Sequence, residues 1–237
     1  DAKVALQEAL LLEPDFDDAA DNLAQLLLSL GHFSDAWPLY RRRKTQKRQA
    51  NSLAQNGRWG LEADISMSSI VAWTEQGLGD EILQASLISD LKNLAADLTV
   101  ICSKRVKALF EISFPNVTFT SEASLQKNNA VGSEFVRAPL LDFGGSLRSQ
   151  LQDFPAKKGY LKVPVETVKG LRTRYARSTN PKNGYPLLIG ISWQSGHVLY
   201  GDRNTIPIER WRPIFEAAKS LERPVVFVST QYGATAD

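Results

Sequence analysis

The segment Gln76-Gly77-Leu78-Gly79-Asp80 carries the residue types and spacing best suited to chemistry. Gly77 and Gly79 supply the tight backbone that a sharp turn needs. Asp80 follows at the start of a helix, where backbone N–H groups and the positive end of the helix dipole hold a carboxylate. The result is one fixed anionic group at the mouth of a loop. A second loop, Trp193-Gln194-Ser195-Gly196, continues to Tyr200-Gly201-Asp202-Arg203-Asn204. Arg203 is a planar donor suited to phosphate oxygens. The backbone N–H groups and hydroxyls around it could complete a diphosphate cradle. The residues alone leave other readings open: a structural turn for Gly77 and Gly79, a plain helix cap for Asp80, a surface Asx-turn around Asp202 to Asn204, and a surface loop position for His197.

Both loops need elements to aim them. From Ser69 the pattern alternates between strand and helix: strand Ile70 to Thr74, helix Glu81 to Leu94, strand Leu98 to Cys102, helix Arg105 to Ser113 and strand Val117 to Phe119. Such alternation predicts a parallel sheet with right-handed crossovers. Open sheets of this kind bind ligands beyond the C-terminal ends of their strands, which is where Gln76 to Asp80 falls. Residues 137–165 read as loops and short helices lining a sheet edge. A basic helix, Glu166 to Ser178, precedes the linker Asn180-Pro181-Lys182-Asn183-Gly184. A second unit then begins: strand Leu187 to Trp193, the Arg203 loop, helix Pro207 to Leu221 and strand Pro224 to Thr230.

Residues 1–50 read as helices. Leu10 lies on the first, and Ala20, Leu23, Ala24, Leu27 and Leu28 form an apolar stripe on the second, which Gly31 ends. A third is expected to start at Ser34 as N-cap, with Pro38 in its first turn. Leu23, Leu27, Gly31, Phe33, Ala36 and Tyr40, preceded by Leu12-Glu13-Pro14, resemble a tetratricopeptide repeat. Such arrays need about three units to stand alone, so these helices are expected to pack on the following domain. The run Arg41-Arg42-Arg43-Lys44 with Lys47-Arg48 reads as a solvated helix end rather than a nucleic-acid patch, because it lacks interleaved aromatics.

Composition narrows the classes. The 237 residues carry 28 basic and 26 acidic side chains, a formal net charge of +2, which makes no case for nucleic acid or an acidic membrane. The single cysteine, Cys102, excludes an internal disulfide framework and a multi-cysteine zinc site; His32 and His197 are too few for a His-rich metal centre. Cys102 reads as a small buried residue closing the second strand. No apolar run reaches the roughly 20 residues of a membrane span, and the expected compartment is the cytoplasm. A dinucleotide fingerprint would put glycine where Ile82 stands and an acid where Ile101-Cys102-Ser103 ends the second strand. Neither is present, and there is no Walker A lysine.

In combination, these segments resemble the bacterial tetratricopeptide-repeat proteins that carry a glycosyltransferase family 9, heptosyltransferase-like domain. The matching pieces are Leu30 to Trp37, Glu75 to Asp80, Pro139-Leu140-Leu141, Tyr160-Leu161, Gly190 to Trp193, Asp202 to Pro207 and Phe227 to Gln231, in the expected order. The resemblance implies an α/β chain with TPR-like helices at 1–50, an acceptor-side Rossmann-like domain at 51–180 and the beginning of a donor-side Rossmann-like domain at 181–237, an incomplete GT-B fold truncated at both ends. It implies inverting, metal-independent transfer from a nucleotide-diphosphate sugar without a further cofactor. Asp80 is then the base, with Gln76, Gly77 and Gly79 beside the acceptor. Trp193, Gln194, Ser195, Gly196, Asp202, Arg203 and Asn204 lie at the donor phosphates. The family's lysine in that loop is missing, and Arg203 is expected to replace it. The helices would take a protein or glycan acceptor. As a fragment the chain is expected to be inactive; the competing expectation is a non-catalytic repeat-plus-Rossmann interaction module.

Overall fold

The computed structural model describes residues 1–43, 65–121, 124, 135–156, 159–176, 185–195, 201 and 205–231. They fall into two compact units, Asp1–Val163 and Pro164–Asp237.

The first unit begins with three helices, α1 (Ala2–Leu12), α2 (Asp17–Ser29) and α3 (Phe33–Tyr40). The stripe predicted on α2 is buried: Leu23 and Leu27 pack with Ala36 of α3, flanked by Leu6, Leu10, Leu28 and Leu39. Gly31 adopts φ +79°. It lets its own N–H reach Leu28 O and the His32 N–H reach Leu27 O, a Schellman closure that only a left-handed residue permits. Two local expectations are corrected. Helix α3 is capped by His32 without a side-chain bond, not by Ser34, and Pro38 lies inside the helix rather than in its first turn.

A four-stranded parallel sheet follows. Its strands are β1 (Ser69–Trp73), β2 (Asp97–Ile101), β3 (Thr118–Thr120) and β4 (Val136–Pro139), in the order β3-β2-β1-β4. The helices after β1 are α4 (Leu78–Gln84), a 3-10 turn (Ala85–Leu87) and α5 (Ile88–Leu94); α6 (Lys104–Ser113) links β2 to β3. Side chains alternate across β1. Ile70 and Ala72 join Ile88, Leu91, Leu98, Val100, Phe110 and Leu140 in the main core. Val71 and Trp73 pack with Ile101 and Phe135 on the other face. Burial on both faces explains the unbroken apolar run from Ile70 to Trp73.

Strand β4 corrects the expectation that residues 137–165 hold only loops and short helices. It pairs with β1, Ile70 facing Val136 and Trp73 facing Pro139. Its short Val-Arg-Ala-Pro sequence hides it: Arg137 interrupts the apolar pattern, and proline is admitted because β4 ends the described sheet, where its missing N–H breaks no ladder. Beyond β4 come a 3-10 turn (Leu140–Phe143), the short helix α7 (Gly144–Leu147) and a second 3-10 turn (Leu151–Asp153).

The second unit contains α8 (Val165–Ala176), β5 (Leu187–Ile191), a 3-10 turn (Ile208–Trp211), α9 (Arg212–Lys219) and β6 (Val225–Ser229). Strands β5 and β6 pair in parallel, Leu187 with Val225 and Ile191 with Ser229. Phe215 packs edge-on against Phe227 at 4.8 Å. No helix among the described residues is long and apolar enough to cross a membrane.

Candidate functional site

The strand order places a topological switch at β1. The chain moves from β1 through β2 to β3 on one side and returns to β4 on the other. The C-terminal ends of β1 and β4 are therefore where an open parallel sheet offers a crevice. The Gln76 to Asp80 loop leaves β1 at that point.

The backbone differs from the expected glycine turn. Gln76 takes the left-handed conformation, φ +69°, whereas Gly77 is extended at φ −97°. The sharp turn thus falls on the residue before the glycines. A left-handed non-glycine residue carries strain of about 1 kcal/mol or more. Gln76 also reaches Tyr40 Oη with its side-chain amide at 3.5 Å. The expected start of the helix moves too: α4 begins at Leu78, so Asp80 sits in its first turn. Asp80 Oδ2 accepts the Gly77 N–H at 3.0 Å. No hydrogen bond to its other oxygen is found among the described residues, and the side chain is half-buried. A Cβ on Gly79 would meet nothing within 4 Å. The loop therefore presents a clamped carboxylate beside open space.

Behind it the loop is fastened by side chains to which the residue pattern gave no such role. Glu75 and Gln84 exchange two bonds: the Glu75 N–H donates to Gln84 Oε1 and Gln84 Nε2 donates to Glu75 O, both at 3.0 Å. Buried Glu81 accepts from Thr74 Oγ1 at 2.8 Å and from the Ser103 N–H at 2.9 Å, tying β1 to the loop after β2. The Glu75 carboxylate accepts both Nε and a terminal nitrogen of Arg43. The remaining Arg43 nitrogen donates to Asp142 Oδ1 at 3.1 Å and Tyr40 O at 2.9 Å.

That finding corrects the solvated reading of the arginine run. Arg43 is 2% exposed, and the Glu75 and Asp142 side chains are fully buried. Arg41 Nε approaches Asp142 Oδ2 at 3.4 Å, and Arg42 donates to Pro14 O while facing Asp17. Burial by itself would lower the Arg43 pKa; the Glu75 and Asp142 charges outweigh it and hold the group above its ordinary value. Burial likewise raises the Tyr40 phenol, against the opposing charge of Arg43. Removing one member of a buried ion cluster strands its partners and costs about 3–5 kcal/mol. The signal was present in the sequence: Glu75 and Asp142 are carboxylates at the ends of otherwise apolar runs.

The second predicted loop belongs to the other unit. Trp193, Gln194 and Ser195 follow β5, which ends at Ile191 rather than at Trp193. The chain leaves the ladder because Gln231 intervenes. Gln231 Oε1 accepts from Ser192 Oγ and from the Trp193 and Gln194 N–H groups, each at 3.1 Å, and Nε2 returns a bond to Gln194 O at 3.0 Å. Ser195 N–H donates to Thr205 Oγ1 at 3.2 Å. Gly196, Asp202, Arg203, Asn204 and His197 lie outside the described residues, as do the connector 51–64 and Lys44, Lys47 and Arg48 of the basic run. A cavity of about 650 Å³ in this unit is lined by Lys169, Arg172, Tyr185 and Arg223. It lies at the N-terminal edge of β5, the opposite edge from Trp193 to Ser195. Ligand chemistry in parallel sheets concentrates at C-terminal edges, so the loops carry the functional reading.

The chain is 28% identical over 231 residues to protein FlbA of Caulobacter vibrioides, an alignment that takes in 89% of this chain and 36% of FlbA. The chain thus spans about a third of that relative. No family model matches it, and no solved structure matches it significantly.

Proposed function

We propose that the chain is part of an inverting, metal-independent glycosyltransferase with a GT-B arrangement, in which the first unit holds the acceptor and the second begins the nucleotide-sugar site. The observation that supports this most is Asp80: one oxygen is clamped by Gly77 N–H, and the loop opens at Gly79 beside the switch point of the sheet. A carboxylate so held can take the proton of an acceptor hydroxyl. As it does, the hydroxyl oxygen bonds to the sugar C1 from the face opposite the leaving group. The C1–O bond to the diphosphate breaks, and the nucleoside diphosphate leaves with the electron pair. Arg203 would neutralise that leaving group; the Trp193, Gln194 and Ser195 N–H groups are already taken by Gln231 Oε1 and Thr205 Oγ1. The resemblance of α2 and α3 to a tetratricopeptide repeat adds a protein or glycan acceptor as the partner of the helices.

The test is nucleotide-sugar turnover by the full-length protein with UDP-, GDP- and ADP-linked sugars. Asp80→Asn keeps the shape and an acceptor for the Gly77 N–H, so the fold stays and turnover falls by about 10²–10⁴-fold, the usual contribution of a general base. Unchanged turnover in Asp80→Asn overturns the assignment. No turnover with any donor favours the non-catalytic interaction module.

A further inference from the structure

At the switch point of the sheet, the residues that follow β1 and β4 are joined by the chain's own Arg43. It arrives from the end of α3 and bridges Glu75, which follows β1, to Asp142, which follows β4. These two strands are neighbours in the sheet. Glu75 is the residue immediately before Gln76, whose left-handed φ aims the rest of the loop. Three constraints therefore meet on one residue: the carboxylate of Glu75 is taken by Arg43, and its N–H and C=O are both taken by Gln84. The ring of Tyr40 lies under the guanidinium at 4.5 Å, while its hydroxyl meets Gln76.

We infer that Arg43 is a positioning residue for the Gln76 to Asp80 loop, acting through Glu75, so that the helices α1 to α3 form part of the site rather than an appendage to it. Among the described residues, the hydrogen bonds of Arg43 go to Glu75, Asp142 and Tyr40 and not to Gln76 through Asp80. Arg43 acts by fixing the residue from which the strained turn springs. A planar fork with several N–H groups is needed because the bridge reaches two carboxylates and a carbonyl at once; an ammonium is a point charge on a flexible stem and cannot match that set. The importance of the bridge for sugar transfer rests on the reading of the loop proposed above. The bridge itself does not.

Amide hydrogen exchange on the chain tests the inference without any ligand. Exchange reports local opening separately from global unfolding. In Arg43→Lys, the Gly77 and Glu81 amides, bonded to Asp80 Oδ2 and Gly77 O, are expected to exchange at least about ten-fold faster. The Thr74 and Cys102 amides, bonded to Ile101 O and Thr120 O, keep their rates. Glu75→Gln, which leaves Arg43 bound to Asp142 and Tyr40 O, gives the same local loosening and guards against loss of the whole helical segment in the first variant. Trp37→Phe, which removes the bond to Arg148 O elsewhere in the same contact, leaves the loop amides unchanged. Loop exchange unaffected by both Arg43→Lys and Glu75→Gln overturns the inference, as does equal loosening by Trp37→Phe. Local loosening together with absent sugar turnover in the full-length protein leaves Arg43 as a positioning residue and removes only the transferase reading.

Discussion

Trp37 lies against the backbone of Gly144: a Cβ on that glycine would come within 2.6 Å of the ring carbon Cη2. The indole N–H donates to Arg148 O at 2.8 Å, one residue past α7. Arg148 itself pairs with Asp90 and stacks 5.7 Å from the Phe154 ring, which in turn meets Phe33 at 4.7 Å. Helix α3 is thus seated on the turn after β4 by an aromatic wedge as well as by the Arg43 bridge.

Gly144→Ala separates sterics from backbone preference. Gly144 has helical angles, φ −55° and ψ −38°, so alanine suits the backbone, and any loss comes from the wedge. The expected loss is about 1–3 kcal/mol, the usual cost of overpacking a tight contact. It is read as a lower urea midpoint with an unchanged slope. Gly170→Ala in α8 has open space within 4 Å and is the control; there alanine is expected to be neutral or stabilising by up to about 1 kcal/mol.

The strain at Gln76 predicts an ordering of substitutions. A β-branched side chain tolerates a left-handed φ worst, so Gln76→Ile is expected to lose about 1–2 kcal/mol. Gln76→Gly relieves the strain but adds freedom to the unfolded chain, and the two nearly cancel. Equal stability of the isoleucine and glycine variants in urea titration would mean that no strain resides there.

Asp80 should show a split between stability and chemistry. Asp80→Ala removes the acceptor of the Gly77 N–H and costs about 1 kcal/mol, as loss of an N-terminal helix cap does. Asp80→Asn keeps an acceptor and costs less, only a part of the dipole interaction. Thermal unfolding of the two variants checks the order.

Cys102 is expected to resist alkylation. Burial, reinforced by the Glu81 charge and opposed by Lys107, pushes its thiol up to about 11. At pH 8 its thiolate fraction is then about 0.1%, against about a quarter for a free thiol of pKa near 8.5, so iodoacetamide labelling should run at least about 100-fold slower than for a free cysteine. The folded state keeps the proton to higher pH than the unfolded state does, so stability is full below about pH 8.5 and falls as pH rises toward 11. The urea midpoint of the wild type should drop between these values more than that of Cys102→Ala.

Local periodicity made much of the architecture legible. The runs Ile70 to Trp73 and Leu98 to Ile101, alternating with helices, were legible as strands of a parallel sheet, and side chains from both faces of each are buried. Gly31 ended α2 where a left-handed residue was required. The short strand β4 was not legible, since four residues containing Arg137 and Pro139 form a strand only because β1 offers them an edge to pair with. The glycine pair drew the turn to the wrong residue: glycine permits a positive φ but does not compel it, and in the fold Glu75 is anchored so firmly that Gln76 takes the bend.

Residue order alone thus determined an α/β chain with a glycine-rich loop and an acid after its first strand, because hydrophobic period and turn chemistry are local properties. Only the tertiary structure decided the fate of Arg43. As part of a run of cations it resembles any solvated helix end; its burial follows from the meeting of Glu75 and Asp142, 67 positions apart in the chain. Two carboxylates buried side by side demand a cation between them, and no local pattern specifies which of several arginines will supply it.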